Sequence, residues 1–143
     1  MNIATLHYYF PTKEALIRGV LEYAMGRFRT TLEPHGEPSV QLRNHLRAVR
    51  KLQSEEPELF AVMGELALRS TRDRAVRAMV GAMFDSWQTT MRGLLRRTSR
   101  ELDSEGTAAL VIATLMGATL PPMSEGRGEQ AMRQLERWLL SSN

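Results

Sequence analysis

TLHYYFPTKEALIRGV, residues 5–20, is the stretch that decides how this chain is built. A short apolar and aromatic segment ends at Phe10, and Pro11 separates it from a second stretch with helical spacing. Proline has no amide hydrogen and pushes the residue before it out of the α region, so the first segment cannot run on into the second. Two helices must therefore meet at an angle, the first over residues 1–10 and the second from Thr12 to about Leu32. Thr12 is a good N-cap, and Glu14 sits in the first turn, where the helix dipole favours an anion. Ala15, Leu16, Gly19, Val20 and Tyr23 share one face and are expected to form its buried stripe.

The chain downstream reads as further helices. Pro34, Gly36 and Pro38 mark the clearest loop. Ser39 is expected to cap the next helix, with Leu42, His45, Leu46, Val49 and Leu52 inside and Arg43, Arg47, Arg50 and Lys51 on the far side. Pro57 restarts the chain after Ser54, and Leu59, Phe60, Met63, Leu66 and Ala67 form a stripe that ends near Arg69. Thr71 is expected to cap the longest helix, which reaches about Ser99. Its apolar positions, Val76, Met79, Val80, Met83, Phe84, Trp87, Met91, Leu94 and Leu95, have spacings that only an α-helix satisfies. At about 1.5 Å per residue this helix spans roughly 40 Å and would be the scaffold of the core. Asp103 or Ser104 opens a helix whose apolar positions, from Ala108 to Leu120, leave almost no polar face, so it must be covered on most sides. Pro121 and Pro122 stop it. A last helix, from about Glu125 to Leu140, places Met132, Leu135, Trp138 and Leu139 on one face. With no strand signal, repeat or low-complexity tract, the fold class is all-α, a helical bundle.

Composition narrows the function. The 143 residues suit one compact domain with a real core. The net charge is +3, carried almost wholly by arginine because Lys13 and Lys51 are the only lysines. That excess is compatible with nucleic acid but small and spread along the chain. Arg96, Arg97 and Arg100 are the densest cluster and read as a solvated helix end, where cations suit the dipole. Cysteine is absent, which excludes disulfides, thiolate metal sites and a cysteine nucleophile. No apolar run has membrane-spanning length and no signal peptide is evident, so the expected location is cytoplasmic. His7, His35 and His45 are never three or four residues apart, so no helical metal pair exists. Glu55, Glu56 and Glu58 fall at a helix start, where carboxylates are favoured in any case. There is no glycine-rich phosphate loop and no G-x-S-x-G turn. Neither enzyme activity nor a cofactor or metal is expected.

The succession ATLHYYF then PTKEAL resembles the TetR family of bacterial transcriptional repressors. In that family a recognition helix ending in leucine, an aromatic or histidine run and phenylalanine is followed by a small polar pair, lysine, glutamate and an apolar run. His7 stands where the family most often has tyrosine. The resemblance begins in the middle of the family's DNA-binding domain. It implies that residues 1–24 are a remnant of a helix-turn-helix and the start of a connecting helix, and that 25–143 form an effector-binding and dimerisation domain. Read this way, the first helix exposes Asn2, Thr5, His7, Tyr8 and Tyr9 and turns Ile3, Leu6 and Phe10 inward. Asparagine can pair with adenine and threonine can meet a thymine methyl, while tyrosine hydroxyls and Lys13 would reach phosphates. Tyr8 and Tyr9 also read as half-buried packing residues.

The resemblance further implies that the helix after Thr12 swings when an effector binds, changing the separation of the two recognition helices of a dimer. The C-terminal helix pair resembles the family's dimerisation hairpin, which builds a four-helix bundle. Ala109, Ile112, Ala113, Met116, Leu135, Trp138 and Leu139 are the residues expected there. A monomer with so apolar a penultimate helix would expose a large patch, which argues for a homodimer on physical grounds too. His45, Phe60, Met63, Met83, Trp87, Met91 and Met116 are the residues expected to line an effector pocket, since methionine adapts to irregular shapes. Ordinary core packing explains the same stripe, and His45 also reads as a satisfied core histidine. The resulting expectation is a ligand-responsive repressor that binds double-stranded operator DNA as a homodimer, is released by a small apolar or amphipathic effector, and has no membrane role. The alternatives are an effector-binding helical dimer without autonomous DNA binding and a small helical enzyme. A recognition helix needs the preceding helix to brace it, so these residues alone are expected to bind operator DNA poorly.

Overall fold

The computed structural model describes residues 8–32, 34–98, 103–123 and 126–141. Among the described residues there are six longer helices, α1 (Lys13–Arg29), α2 (Pro38–Glu55), α3 (Pro57–Arg69), α4 (Arg74–Thr98), α5 (Ser104–Gly117) and α6 (Arg127–Ser141), and no strand. A 3-10 turn at Pro121–Met123 joins α5 to α6. The chain is all-α, as its periodicity required. Its 25-residue α4 is about 37 Å long and touches α1, α2, α3 and α5, while α6 packs on α5 and α2. Val76, Val80, Met83, Trp87, Met91, Leu94 and Leu95 all face inward from this central helix.

The break at Pro11 is present as expected. Thr12 caps α1, its hydroxyl oxygen accepting from the Ala15 amide at 3.1 Å. Phe10 folds back on α1 so closely that its ring fills the space a side chain at Gly19 would need. The buried stripe of α1, however, is not the expected one. Ile17, Leu21, Ala24 and Phe28 are buried, whereas Ala15, Leu16, Gly19 and Val20 are only partly covered and Tyr23 is 54% exposed. Both sets have helical spacing. α4 covers one face of α1, while Phe10 lies against Gly19 on the other.

Two helix starts also differ from the sequence expectation. α2 is capped by Glu37 rather than Ser39, because Pro38 takes the first helical position, where its missing amide costs nothing. The Glu37 carboxylate accepts from the Val40 amide and the Ser39 hydroxyl, which hold it below the usual carboxylate range, the hydroxyl most of all. α4 is capped by Asp73 rather than Thr71. Asp73 accepts from the Ala75 and Val76 amides at 3.0 and 3.1 Å, and the Val76 amide is the main reason its carboxyl is held low. Thr71 instead donates its hydroxyl to the Leu68 carbonyl, finishing the turn after α3. Asp103 caps α5, in line with expectation, accepting from the Glu105 amide.

The α5–α6 hairpin closes on a small residue. A Cβ on Gly128 would overlap the Ala118 carbonyl oxygen and lie 3.1 Å from the Ala118 Cα and carbonyl carbon, all backbone atoms that cannot swing aside. Gly128→Ala is therefore expected to destabilise the fold by about 1–3 kcal/mol, seen as a lower urea midpoint.

Candidate functional site

The proposed DNA-reading positions divide. Asn2, Thr5 and His7 lie outside the described residues. Tyr8 and Tyr9 are exposed, with ring centroids 5.2 Å apart in an edge-to-face pair, and Lys13 is exposed at the first turn of α1. Their exposure sets aside the half-buried reading of the tyrosines. Arg96 and Arg97 are exposed in the last turn of α4, and Arg100 lies outside the described residues.

The effector positions converge on a core. His45, Phe60, Met63, Met83, Trp87 and Met91 are all buried, and Met116 is partly buried against the same cluster. The centre of this core is a residue absent from the sequence expectation. Phe28, from α1, stacks on Trp87 of α4 at a centroid distance of 4.9 Å and meets Phe60 of α3 edge-to-face at 5.8 Å. Its position at the end of a 17, 21, 24, 28 spacing was readable, but only by preferring that face over the competing one.

The polar atoms in this core are few. Thr31, one turn beyond Phe28, donates its hydroxyl to the Phe28 carbonyl at 2.6 Å, and its oxygen lies 2.9 Å from His45 Nδ1. With the hydroxyl hydrogen committed to the carbonyl, the His45 contact is made by Nδ1–H donating to the threonine oxygen. His45 Nε2 is then a bare acceptor. It has no hydrogen-bond partner among the described residues, and neither has the Trp87 indole Nε1. Burial lowers the His45 pKa to about 4 despite an opposing hydrogen bond to the Thr31 backbone, so the ring is neutral at neutral pH. Phe60 also borders a cleft of about 260 Å³ between α2, α3 and the α5–α6 connection, and Met83 borders a surface groove of about 350 Å³ between α1 and α4.

Ion pairs tie the helices around this core. Glu56, between α2 and α3, accepts from the Tyr23 hydroxyl at 2.7 Å and from Arg27 at 2.6 Å, both on α1. The hydrogen bond to that carboxylate raises the pKa of the Tyr23 hydroxyl. Arg50 of α2 pairs with Glu129 and Glu136 of α6, and Arg47 joins Glu136 at 3.3 Å.

The dimerisation positions separate into two sets. Ile112, Leu135 and Leu139 are buried within the chain and serve its own packing. Ala109, Ala113 and Trp138 are exposed, and Met116 is partly so. The expectation that α5 is covered on most sides does not hold within one chain, because α4 and α6 cover only its Thr107, Ala108, Val111, Ile112 and Leu115 side. Leu110, Leu120 and Trp138 remain 48%, 51% and 41% exposed; Leu110 and Leu120 belong to the apolar run that was expected to need covering, though only Trp138 was among the expected dimerisation residues.

Among the described residues no group of three His, Asp or Glu side chains could hold a metal ion, and no helix is long and apolar enough to cross a membrane. Comparison of the chain with protein families, curated proteins and solved structures finds no match.

Proposed function

We propose that this chain acts as a ligand-responsive transcriptional repressor similar to the TetR family, working as a homodimer on double-stranded operator DNA. The observation that carries the reading is the place of Phe28. It sits on α1, the helix that follows directly from the exposed Tyr8–Tyr9 segment, and its ring is held by Trp87 and Phe60 from the core. A molecule that enters the core must move these rings, and moving Phe28 moves α1. Tyr23 and Arg27, gripping Glu56, give α1 a second hold on the α2–α3 junction. A small apolar or amphipathic effector thus has a mechanical route to the DNA-facing end, and Lys13 at that end supplies a phosphate contact. The uncovered α5 face with Leu110 and Ala113 supports pairing of two chains, since exposed apolar side chains gain by excluding water.

The test is selection of duplexes from fragmented genomic DNA by the protein purified from its host, followed by footprinting. A dimeric reader should protect two half-sites related by two-fold symmetry and about one helical turn apart. Lys13→Ala should weaken binding to all sequences alike and reduce the salt dependence by about one phosphate contact. Failure of the host-purified protein to select any duplex would replace this reading with an effector-binding dimer that does not grip DNA.

A further inference from the structure

We propose that the cleft between α2, α3 and the α5–α6 connection binds a small apolar molecule carrying one carboxylate, which is held by the Arg50 guanidinium. That this molecule is the effector rests on the repressor reading above, whereas the site itself does not. The cleft, of about 260 Å³, lies a little below the roughly 300–1,000 Å³ of most small-molecule pockets, which suits a single ring with one polar group. Phe60, Met132 and Pro57 supply apolar lining, while Arg50 and Ser54 from α2 and Glu129 from α6 supply polar lining.

Three observations select an anion. Arg50 donates through Nη1 to Glu136 and through Nη2 to Glu129, and its buried Nε–H has no acceptor among the described residues. A guanidinium is a rigid planar fork whose Nε–H and Nη2–H lie along one edge. The unspent donor therefore faces the side of Glu129, which lines the cleft, and not that of Glu136, which lines a separate groove. Charge counting agrees. Arg47, Arg50 and Arg133 are linked through two carboxylates among the described residues, Glu129 and Glu136, so the cluster holds one positive charge in excess. One monoanion balances it, and an ammonium would add to it. Glu129 is not stranded when a ligand takes the Arg50 edge, because Arg133 pairs with it as well, at 3.2 Å. Pro57 and Gly128 lie in the first turns of α3 and α6, so the positive ends of two helix dipoles border the cleft. A carboxylate accepts both N–H bonds of the Arg50 edge, and such charge-assisted bonds are about twice as strong as neutral ones. Phe60 borders the cleft and meets Phe28 edge-to-face, so an occupant that shifts Phe60 bears on α1.

The test uses benzoate, benzamide and benzylamine as probes, with dissociation constants read by calorimetry on the full chain. Benzoate is expected to bind about tenfold or more tighter than benzamide, the factor a charged hydrogen-bond partner adds, and benzylamine should bind more weakly than either. Arg50→Lys keeps the charge but loses the fork, and should remove most of the preference for benzoate over benzamide. Glu129→Gln removes the competing carboxylate from an exposed position and should tighten benzoate binding severalfold, a gain that a damaged fold cannot imitate. Methionine-methyl NMR of the wild type should show benzoate moving the Met132 signal and leaving Met83 and Met91 in place. Equal affinity for benzoate and benzamide, weaker benzoate binding in Glu129→Gln, shifts confined to Met83 and Met91, or no binding would each overturn the cleft assignment and leave the repressor reading standing. Benzoate bound at Met132 with no change in the protein's hold on its selected duplex would confirm the site and overturn its role as the effector site.

Discussion

Phe28→Ala is expected to cost about 3–5 kcal/mol of folding stability, the usual penalty for removing a buried aromatic side chain. Phe28 is 5% exposed and is the ring through which α1, α3 and α4 meet, stacked on Trp87 and edge-to-face with Phe60. Alanine would remove both ring contacts and leave a void that three helices from different parts of the chain border. Natural domains are stable by only about 5–15 kcal/mol, so the variant should sit near the edge of folding at room temperature. Urea unfolding followed by tryptophan fluorescence measures the loss, and Phe28→Leu, which keeps most of the apolar volume, should lose much less. A Phe28→Ala variant within about 0.5 kcal/mol of the wild type would behave like a surface substitution and would remove Phe28 from the core.

The second large effect is a dependence on acidity. His45 has a folded-state pKa of about 4, against 6.5 for the free side chain, because burial disfavours the imidazolium. Below pH 6.5 the unfolded chain takes up a proton that the folded chain refuses until about pH 4, so stability falls as pH is lowered through that window and this contribution levels off beneath it. The gap amounts to about 3 kcal/mol. Glu37 and Asp73, whose carboxyls are held low by their cap hydrogen bonds, add losses of the same sign at more acidic pH. Urea midpoints measured between pH 7 and 4.5 in the wild type and in His45→Phe separate the two sources. The variant should lose most of the slope in that range. An unchanged slope would mean that His45 is protonated as readily in the folded state as in the unfolded one.

Helix content and most inward faces were legible because helical periodicity is a local property. The apolar spacings from Val76 to Leu95 and from Leu42 to Leu52 admit one orientation, and the structure has it. α1 was ambiguous for the opposite reason. It carries two apolar faces of similar length, and which one the core takes depends on where α4 lies, not on anything within α1. The helix starts at Glu37 and Asp73 were missed through ranking. Serine and threonine are good caps, but Pro38 at the first helical position starts α2 two residues earlier than a Ser39 cap would, and Thr71 is used by the turn before it.

The candidate site followed the same division. His45, Phe60, Met63, Trp87 and Met91 were findable as members of inward stripes on separate helices. Phe28 and Thr31, which join them, were not, since Phe28 belongs to the undecided face of α1 and Thr31 lies in the turn that ends it. The pairing of Arg50 with Glu129 and Glu136 links residues about eighty positions apart, and no local pattern announces it.

By itself, then, the chain's residue order determined that it is all helical, where Pro11, Pro38, Pro57 and Pro121 interrupt it, and that its interior lacks thiols and close histidine pairs. These follow from backbone sterics and side-chain chemistry, which act over a few residues. Only the tertiary structure decided which face of α1 is buried, which ring nitrogens are left without partners and which side of α5 stays uncovered. Those depend on contacts between segments distant in sequence, and such contacts exist only once the helices have packed.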